Sequence, residues 1–287
     1  MALPDLGSLG ARPFWFGGVE FRLAPLGGLR SGALVVVKPL EEVERYQELL
    51  ERFDAPRIVE MGIAYGGSVA LFSLMAQPER LVAIELNAER EPVLDEFIAE
   101  HRLGDRVHLH YGTDQADTVR LAAIVDAEFD GVPLDLVIDD ASHLYDETLA
   151  SFEALFPRLR PGGEYVIEDW SCDHGIRALL AAGLADPDHP THAWAAATLA
   201  GEGRSRHAGQ TAQTEIAAAT LGGPTTSRRP LTRLALQLVL ASAEPDSGVA
   251  HVETGPYWTK VTRDQAPLAA GTWRLADTAP DHFGQLA

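Results

Sequence analysis

The chain has 287 residues, 46% of them hydrophobic, with 23 basic side chains against 42 acidic ones and a formal charge of −19. That length suits one large domain, or one domain with an appended segment, and the apolar fraction suffices for a sizeable core. No window approaches about 18 consecutive apolar residues, so no membrane span is expected, and so acidic a chain repels phosphate backbones, which argues against a nucleic-acid partner.

Residues 1–40, rich in Gly, Pro and aromatics (Phe14, Trp15, Phe16, Phe21), read as an arm packing over the main domain, its aromatics filling core. Residues 41–287 read as that domain. Helical spacing in EEVERYQELLERF ends at Pro56 and the apolar run RIVEMG follows. A helix pattern (SVALFSLMAQ), the run LVAIE (81–85) and an amphipathic helix (88–100) come next. VHLHY (107–111), a helix (115–127), LDLVID (134–139), a helix (145–157) and EYVIED (164–169) continue the alternation. Short apolar runs alternating with amphipathic helices predict βαβ units. The expected fold is a doubly wound, Rossmann-like α/β sheet of seven mostly parallel strands.

Residues 171–229 break this rhythm, with Gly, Pro, His174, His189, His192 and His207, and one helix expected near 211–221. A long irregular insertion after a strand's carboxyl end reads as a lid or acceptor-recognition segment. The helix LTRLALQLVLASA (231–243) returns the chain to the domain, and VAHVET and YWTKVTR read as a C-terminal antiparallel hairpin. The single cysteine, Cys172, excludes an internal disulfide, and the N-terminus lacks a basic-then-apolar secretory pattern. A cytoplasmic location is therefore expected, and a homo-oligomer is compatible with the composition.

The first strand of the alternation runs into Glu60-Met61-Gly62-Ile63-Ala64-Tyr65-Gly66-Gly67-Ser68. A dinucleotide fingerprint would need glycine at position 64, where alanine stands, so the turn lacks the glycine that makes room for pyrophosphate. The carboxylate of Glu60 beside Gly62, Tyr65, Gly66 and Ser68 suits a ligand carrying an ammonium and a sulfonium. Glu85, ending the second strand, can accept hydrogen bonds from ribose hydroxyls. Asp114 and Gln115, after the third strand, lie where an adenine edge would fall. The expected cofactor is S-adenosylmethionine.

The fourth strand ends in Asp139-Asp140-Ala141-Ser142-His143 and the fifth in Glu168-Asp169-Trp170. Neighbouring strands lie about 4.8 Å apart, so carboxylates past both ends can meet around one ion. Left unpaired they would repel and raise one another's pKa. Oxygen donors without cysteine favour Mg²⁺ or Mn²⁺. Helix capping explains Asp139 or Asp140, but hardly Glu168 and Asp169 as well. His143, three residues past Asp140, is a candidate general base.

EMGIAYGGS, GTDQAD, VIDDASH and PGGEYVIEDW, spanning about residues 55–171, together resemble the metal-dependent sugar O-methyltransferases related to the macrocin and mycinamicin enzymes. Bacterial polysaccharide O-methyltransferases and chains labelled cephalosporin hydroxylase are similar too. The resemblance implies a class I methyltransferase fold and methyl transfer to a sugar hydroxyl. It implies Asp140, Glu168 and Asp169 as metal ligands, His143 as base, catalytic status for His143 and Asp140, and Asp139 beside the cofactor. A sugar hydroxyl near pKa 15 lies about 8 units above histidine, so the metal is expected to matter more than the base. A catechol-type O-methyltransferase of a phenolic diol and a metal-dependent hydroxylase are the rival readings.

Overall fold

Three short strands open the part of the chain that the computed structural model describes, which comprises residues 12–23, 32–189, 192, 195–196 and 229–278. β1 (Arg12–Phe16) and β2 (Val19–Leu23) form a hairpin, and β3 (Leu34–Val36) pairs parallel with β2. The hairpin turns on Gly17 and Gly18, whose positive φ angles of 59° and 84° match a tight two-residue turn. The arm is thus a small sheet. Phe21 is fully buried and stacks on Phe14 at 5.3 Å, as core filling requires, whereas Trp15 remains 63% exposed.

The large sheet begins after helix α1 (Leu40–Leu50) with β4 (Arg57–Met61). α2 (Gly67–Ala76), β5 (Arg80–Ile84), α3 (Pro92–Glu100), β6 (Val107–His110), α4 (Thr118–Phe129) and β7 (Leu134–Asp139) follow. α5 (Tyr145–Leu155), β8 (Leu159–Glu168), α6 (Cys172–Ala185), α7 (Leu231–Ala241), the hairpin β9 (Val249–Thr254) and β10 (Trp258–Arg263), and α8 (Leu275–Thr278) complete the elements. The strand order is β6-β5-β4-β7-β8-β10-β9, parallel through β8, with β10 and β9 antiparallel. This is the expected doubly wound, Rossmann-like sheet with its C-terminal hairpin. Among the described residues, no helix is long and apolar enough to cross a membrane.

Side chains alternate across each strand, which explains why the central strands are apolar throughout. Val59, Met61, Val82, Ile84 and Val137 face α4, α5 and α7, while Ile58, Leu81, Ala83, Leu136 and Ile138 face α1, α2 and α3. Element boundaries moved where proline or a cap decides them. α3 starts at Pro92 instead of 88, because proline suits a helix's first turn. α4 starts at Thr118, where the Asp117 carboxylate accepts from Arg120 N at 3.0 Å. β8 starts five residues before Glu164, absorbing Pro161-Gly162-Gly163 as an irregularity in its pairing with β7. The helix expected near 211–221, His174's side chain and His207 lie outside the described residues, while the first part of the insertion is α6.

The order reverses between β4 and β7, so the crevice beyond their carboxyl ends is where this architecture receives ligands. The arm closes on the same end. Val35 forms a β-bridge to Gly66, and a Cβ at Gly67 would lie 2.1 Å from Val35 O, so only glycine lets β3 dock there.

Candidate functional site

β4, β7 and β8 each end in a turn that aims polar groups into the crevice. After β4, Gly62 has φ 98°, and a Cβ there would meet the Asp140 carbonyl oxygen at 2.1 Å. Its glycine is required both by conformation and by the approach of the β7 turn. Ala64, His143 and Asp169 hold left-handed φ angles of 45°, 55° and 49° without being glycine. Three such residues at three neighbouring strand ends concentrate backbone strain where ligand-facing geometry is needed.

The β7 and β8 ends meet as the pairing Asp139↔Ile167 dictates. His143 Nε2 lies 3.6 Å from Asp140 Oδ1 and 3.9 Å from Asp169 Oδ2. Asp140, His143 and Asp169 each offer a ligand atom within 4.8 Å of the others, a group among the described residues that could hold a metal ion. Asp169 is open to solvent and Asp140 partly so, which leaves an entry path.

Glu168 is turned the other way. It is buried, and its Oε1 accepts from Tyr46 O–H at 2.5 Å while its Oε2 is ion-paired with Lys38. Lys38 Nζ also donates to Asp140 Oδ2 at 2.5 Å. Burial, then the neighbouring Asp140 charge, hold the Glu168 carboxyl well above the usual range, and a hydrogen bond with buried Glu42 adds to this. Burial would lower the Lys38 pKa, but the charges of Asp140, Glu168 and Glu42 outweigh it and hold the ammonium well above its usual range.

Asp139 sits beneath the site. Its Oδ1 accepts from Gln115 Nε2 at 2.6 Å, and its Oδ2 from Ser151 O–H at 2.6 Å and Tyr165 O–H at 2.8 Å. Burial pushes its carboxyl up to about 6 against those donors. Gln115 also accepts from Ser142 N at 3.2 Å, so one side chain ties the turn after β6 to the turn after β7. Glu85 is likewise engaged: its Oε2 accepts from Ile63 N and Ala64 N at 2.9 and 3.1 Å, and its Oε1 from Asn87 N at 2.9 Å. Asp114 is exposed and accepts from Ala116 N at 2.8 Å. Glu60 is fully buried with neither oxygen in a well-formed hydrogen bond, and burial pushes it up to about 8, partly offset by the Ser68 hydroxyl. Tyr65 and Ser68 are half-buried on the turn and first helical residues that follow.

Residues 59–170, the stretch that carries every one of these turns, match a family model described as a methyltransferase domain.

The chain is 31% identical over 125 residues to 8-demethyl-8-alpha-L-rhamnosyl tetracenomycin-C 2'-O-methyltransferase of Streptomyces olivaceus, a match covering 40% of this chain and 29% of that protein. It is 62% identical over 37 residues to mycinamicin VI 2''-O-methyltransferase of Micromonospora griseorubida, covering 13% of this chain and 9% of that one. The match thus spans less than a third of either relative's length. A solved mycinamycin-pathway methyltransferase in complex with Mg, SAH and mycinamycin VI aligns over 82% of this chain and 51% of its own, at 20% identity and TM-score 0.47.

Three residues that contact or neighbour Asp140 and Glu168 are not evident from the sequence motifs: Lys38, Glu42 and Tyr46, all N-terminal to the matched region. A signal existed. Glu42, Tyr46 and Leu50, spaced by four, form one buried stripe of α1, so a glutamate lies on an apolar face.

Proposed function

We propose that this chain is an S-adenosylmethionine-dependent, Mg²⁺- or Mn²⁺-dependent O-methyltransferase acting on a sugar hydroxyl of a glycosylated small molecule. The observation that carries this reading is the convergence of Asp140, His143 and Asp169 beside the glycine turn after β4.

The residues present fit both groups. The carboxylates of Asp140 and Asp169, with Glu168 joined to Asp140 through Lys38, form an oxygen donor set suited to Mg²⁺ or Mn²⁺ and leave the His143 imidazole to act as base. Buried Glu60, without a well-formed partner, fits a cationic ligand at the turn. The proposed metal ligands are Asp140, Glu168 and Asp169. A divalent ion there would supply Lewis acidity toward an acceptor hydroxyl. Gly62, Tyr65, Gly66 and Ser68 line the proposed cofactor turn, and Glu85, Asp114, Gln115 and Asp139 its flank. Gln115 and Asp139 act by holding the two turns together; Glu85, bonded to Ile63 N and Ala64 N, holds the glycine turn in shape.

The reaction is an in-line displacement. Bound S-adenosylmethionine would supply its sulfonium methyl to the acceptor oxygen and leave as S-adenosylhomocysteine, and His143 Nε2 would accept the hydroxyl proton. His143 Nε2, 3.6 Å from Asp140 and 3.9 Å from Asp169, is the proposed proton acceptor. The named substrates of the curated relatives, a rhamnosyl tetracenomycin and mycinamicin VI, favour a glycosylated acceptor.

A screen of mono- and oligosaccharides and glycosylated metabolites with labelled S-adenosylmethionine, with and without Mg²⁺, tests this reading. Metal-dependent methylation of a sugar-bearing acceptor is expected. Transfer only to phenolic diols would replace the sugar with a catechol-type acceptor, and full turnover in EDTA would remove the metal.

A further inference from the structure

Only two of the chain's 23 basic residues are lysines, Lys38 and Lys260, the remainder being arginine. One of the two is buried in the carboxylate cluster. Lys38 lies between Asp140 Oδ2 and Glu168 Oε2, with its side chain 3% exposed. These carboxylates end adjacent strands, so the ammonium fills the gap that an ion bridging β7 and β8 would need. A lysine ammonium is a compact point charge, whereas arginine's planar fork is built for bidentate pairing.

The position is built. β3 leads directly to Lys38 and is fixed to the glycine turn by the Val35–Gly66 bridge. Pro39 then starts α1, whose Glu42 and Tyr46 both reach Glu168. Tyr46 in turn packs edge-on against Trp258 at 4.6 Å, on the strand that pairs with β8. The effect of the ammonium is visible in how the carboxylates divide. Asp140, His143 and Asp169 form one ligand-competent group, and Glu168 stands outside it, held by Lys38 and Tyr46.

We propose that Lys38 is a resident cation that a divalent ion must displace in order to take Asp140 and Glu168 together, so that Lys38 sets the metal affinity of the site. The proposal rests on the metal-dependent reading above. Without the ion, the ammonium holds buried Glu168 and partly exposed Asp140 in place, two carboxylates that would otherwise repel. With the ion, an ammonium and a dication a few ångströms apart repel strongly at the buried end of the cluster, so the lysine leaves toward the partly exposed side of Asp140. Lys38 is therefore a positioning residue and not a base.

The test is binding of Mn²⁺ followed by the electron paramagnetic resonance of the free ion, on wild type and Lys38→Met. Loss of the competing charge should tighten Mn²⁺ binding at least about tenfold. Adding Glu168→Gln to Lys38→Met should cancel most of that gain. A second measurement needs no variant: acylation of wild-type lysines read by peptide mass spectrometry, with Lys260 as internal control. Lys38 should be protected without metal and labelled faster in saturating Mg²⁺. Equal or weaker Mn²⁺ binding by folded Lys38→Met, or labelling of Lys38 indifferent to Mg²⁺, overturns the proposal. Failure of every form to bind Mn²⁺ sinks the metal reading itself.

Discussion

His143 is held at φ 55° with its Nε2 facing two carboxylates, so its ring is oriented by backbone strain as well as by charge. A general base, the role proposed for His143, contributes roughly 10²–10⁴-fold. His143→Ala should therefore lower turnover by about 10²-fold or more while S-adenosylmethionine binding, measured by calorimetry, stays near wild type. A near-normal rate would end its role as base. Glu60 makes a different prediction, in stability. Burial raises its carboxyl to about 8, against about 4.3 in an unfolded chain. Between those values the folded protein keeps a proton that the unfolded chain has lost, so stability falls as pH rises and levels off above about pH 8. Asp139, raised to about 6, adds a loss of the same sign that is complete by about that pH. Glu60→Gln should flatten the dependence of Tm on pH between about 5 and 8 in scanning calorimetry; a slope equal to wild type would show that Glu60 is not the source.

At the scale of elements, the contact between β3 and the glycine turn joins the arm to the site. A Cβ at Gly67 would lie 2.1 Å from Val35 O and 2.7 Å from Val36 N, both backbone atoms that cannot swing aside. Gly67→Ala should lift β3 from the turn at a cost of about 3 kcal/mol. Amide exchange at Leu34–Val36 should quicken while exchange in β7 stays slow. Uniform quickening across the sheet would mean global unfolding, and no change would mean that β3 is not anchored there. The same logic explains why the arm was only partly legible. Its aromatics signalled burial, and Phe21 obeys, but the pairing of β1, β2 and β3 depends on a parallel partner separated from β2 in the chain.

For the whole molecule, the doubly wound order places all the ligand-facing turns at one end of the sheet, and the arm closes over that end. Ligands that bind only the folded state should then raise stability by mass action. S-adenosylhomocysteine at about 100 times its Kd should add about 2.7 kcal/mol, seen as a rise in Tm. NAD should leave Tm unchanged, because Ala64 stands where a pyrophosphate turn needs glycine. EDTA should abolish turnover without removing the S-adenosylhomocysteine shift; activity that survives EDTA would separate the fold from the metal chemistry.

Local patterns determined the alternation of strands and helices, the parallel sheet with its closing hairpin, and the three strand-end turns that carry Gly62, Asp140 and Asp169. These follow from side-chain periodicity and from glycine's backbone freedom, which act over a few residues. Adjacency of β7 and β8 was likewise readable, because it follows from the winding of the sheet. Which carboxylate faces which cation was decided only by tertiary structure. Lys38 lies 102 residues from Asp140 and 130 from Glu168, and Tyr46 lies 122 from Glu168, and no spacing rule spans such a gap. Burial settled the rest: Glu168 faces an ammonium and a phenol, Asp139 is locked by Gln115, Ser151 and Tyr165, and Asp140 alone joins the inner pair to the outer group with His143 and Asp169. A buried charge is stable only beside its partner, and packing chooses that partner.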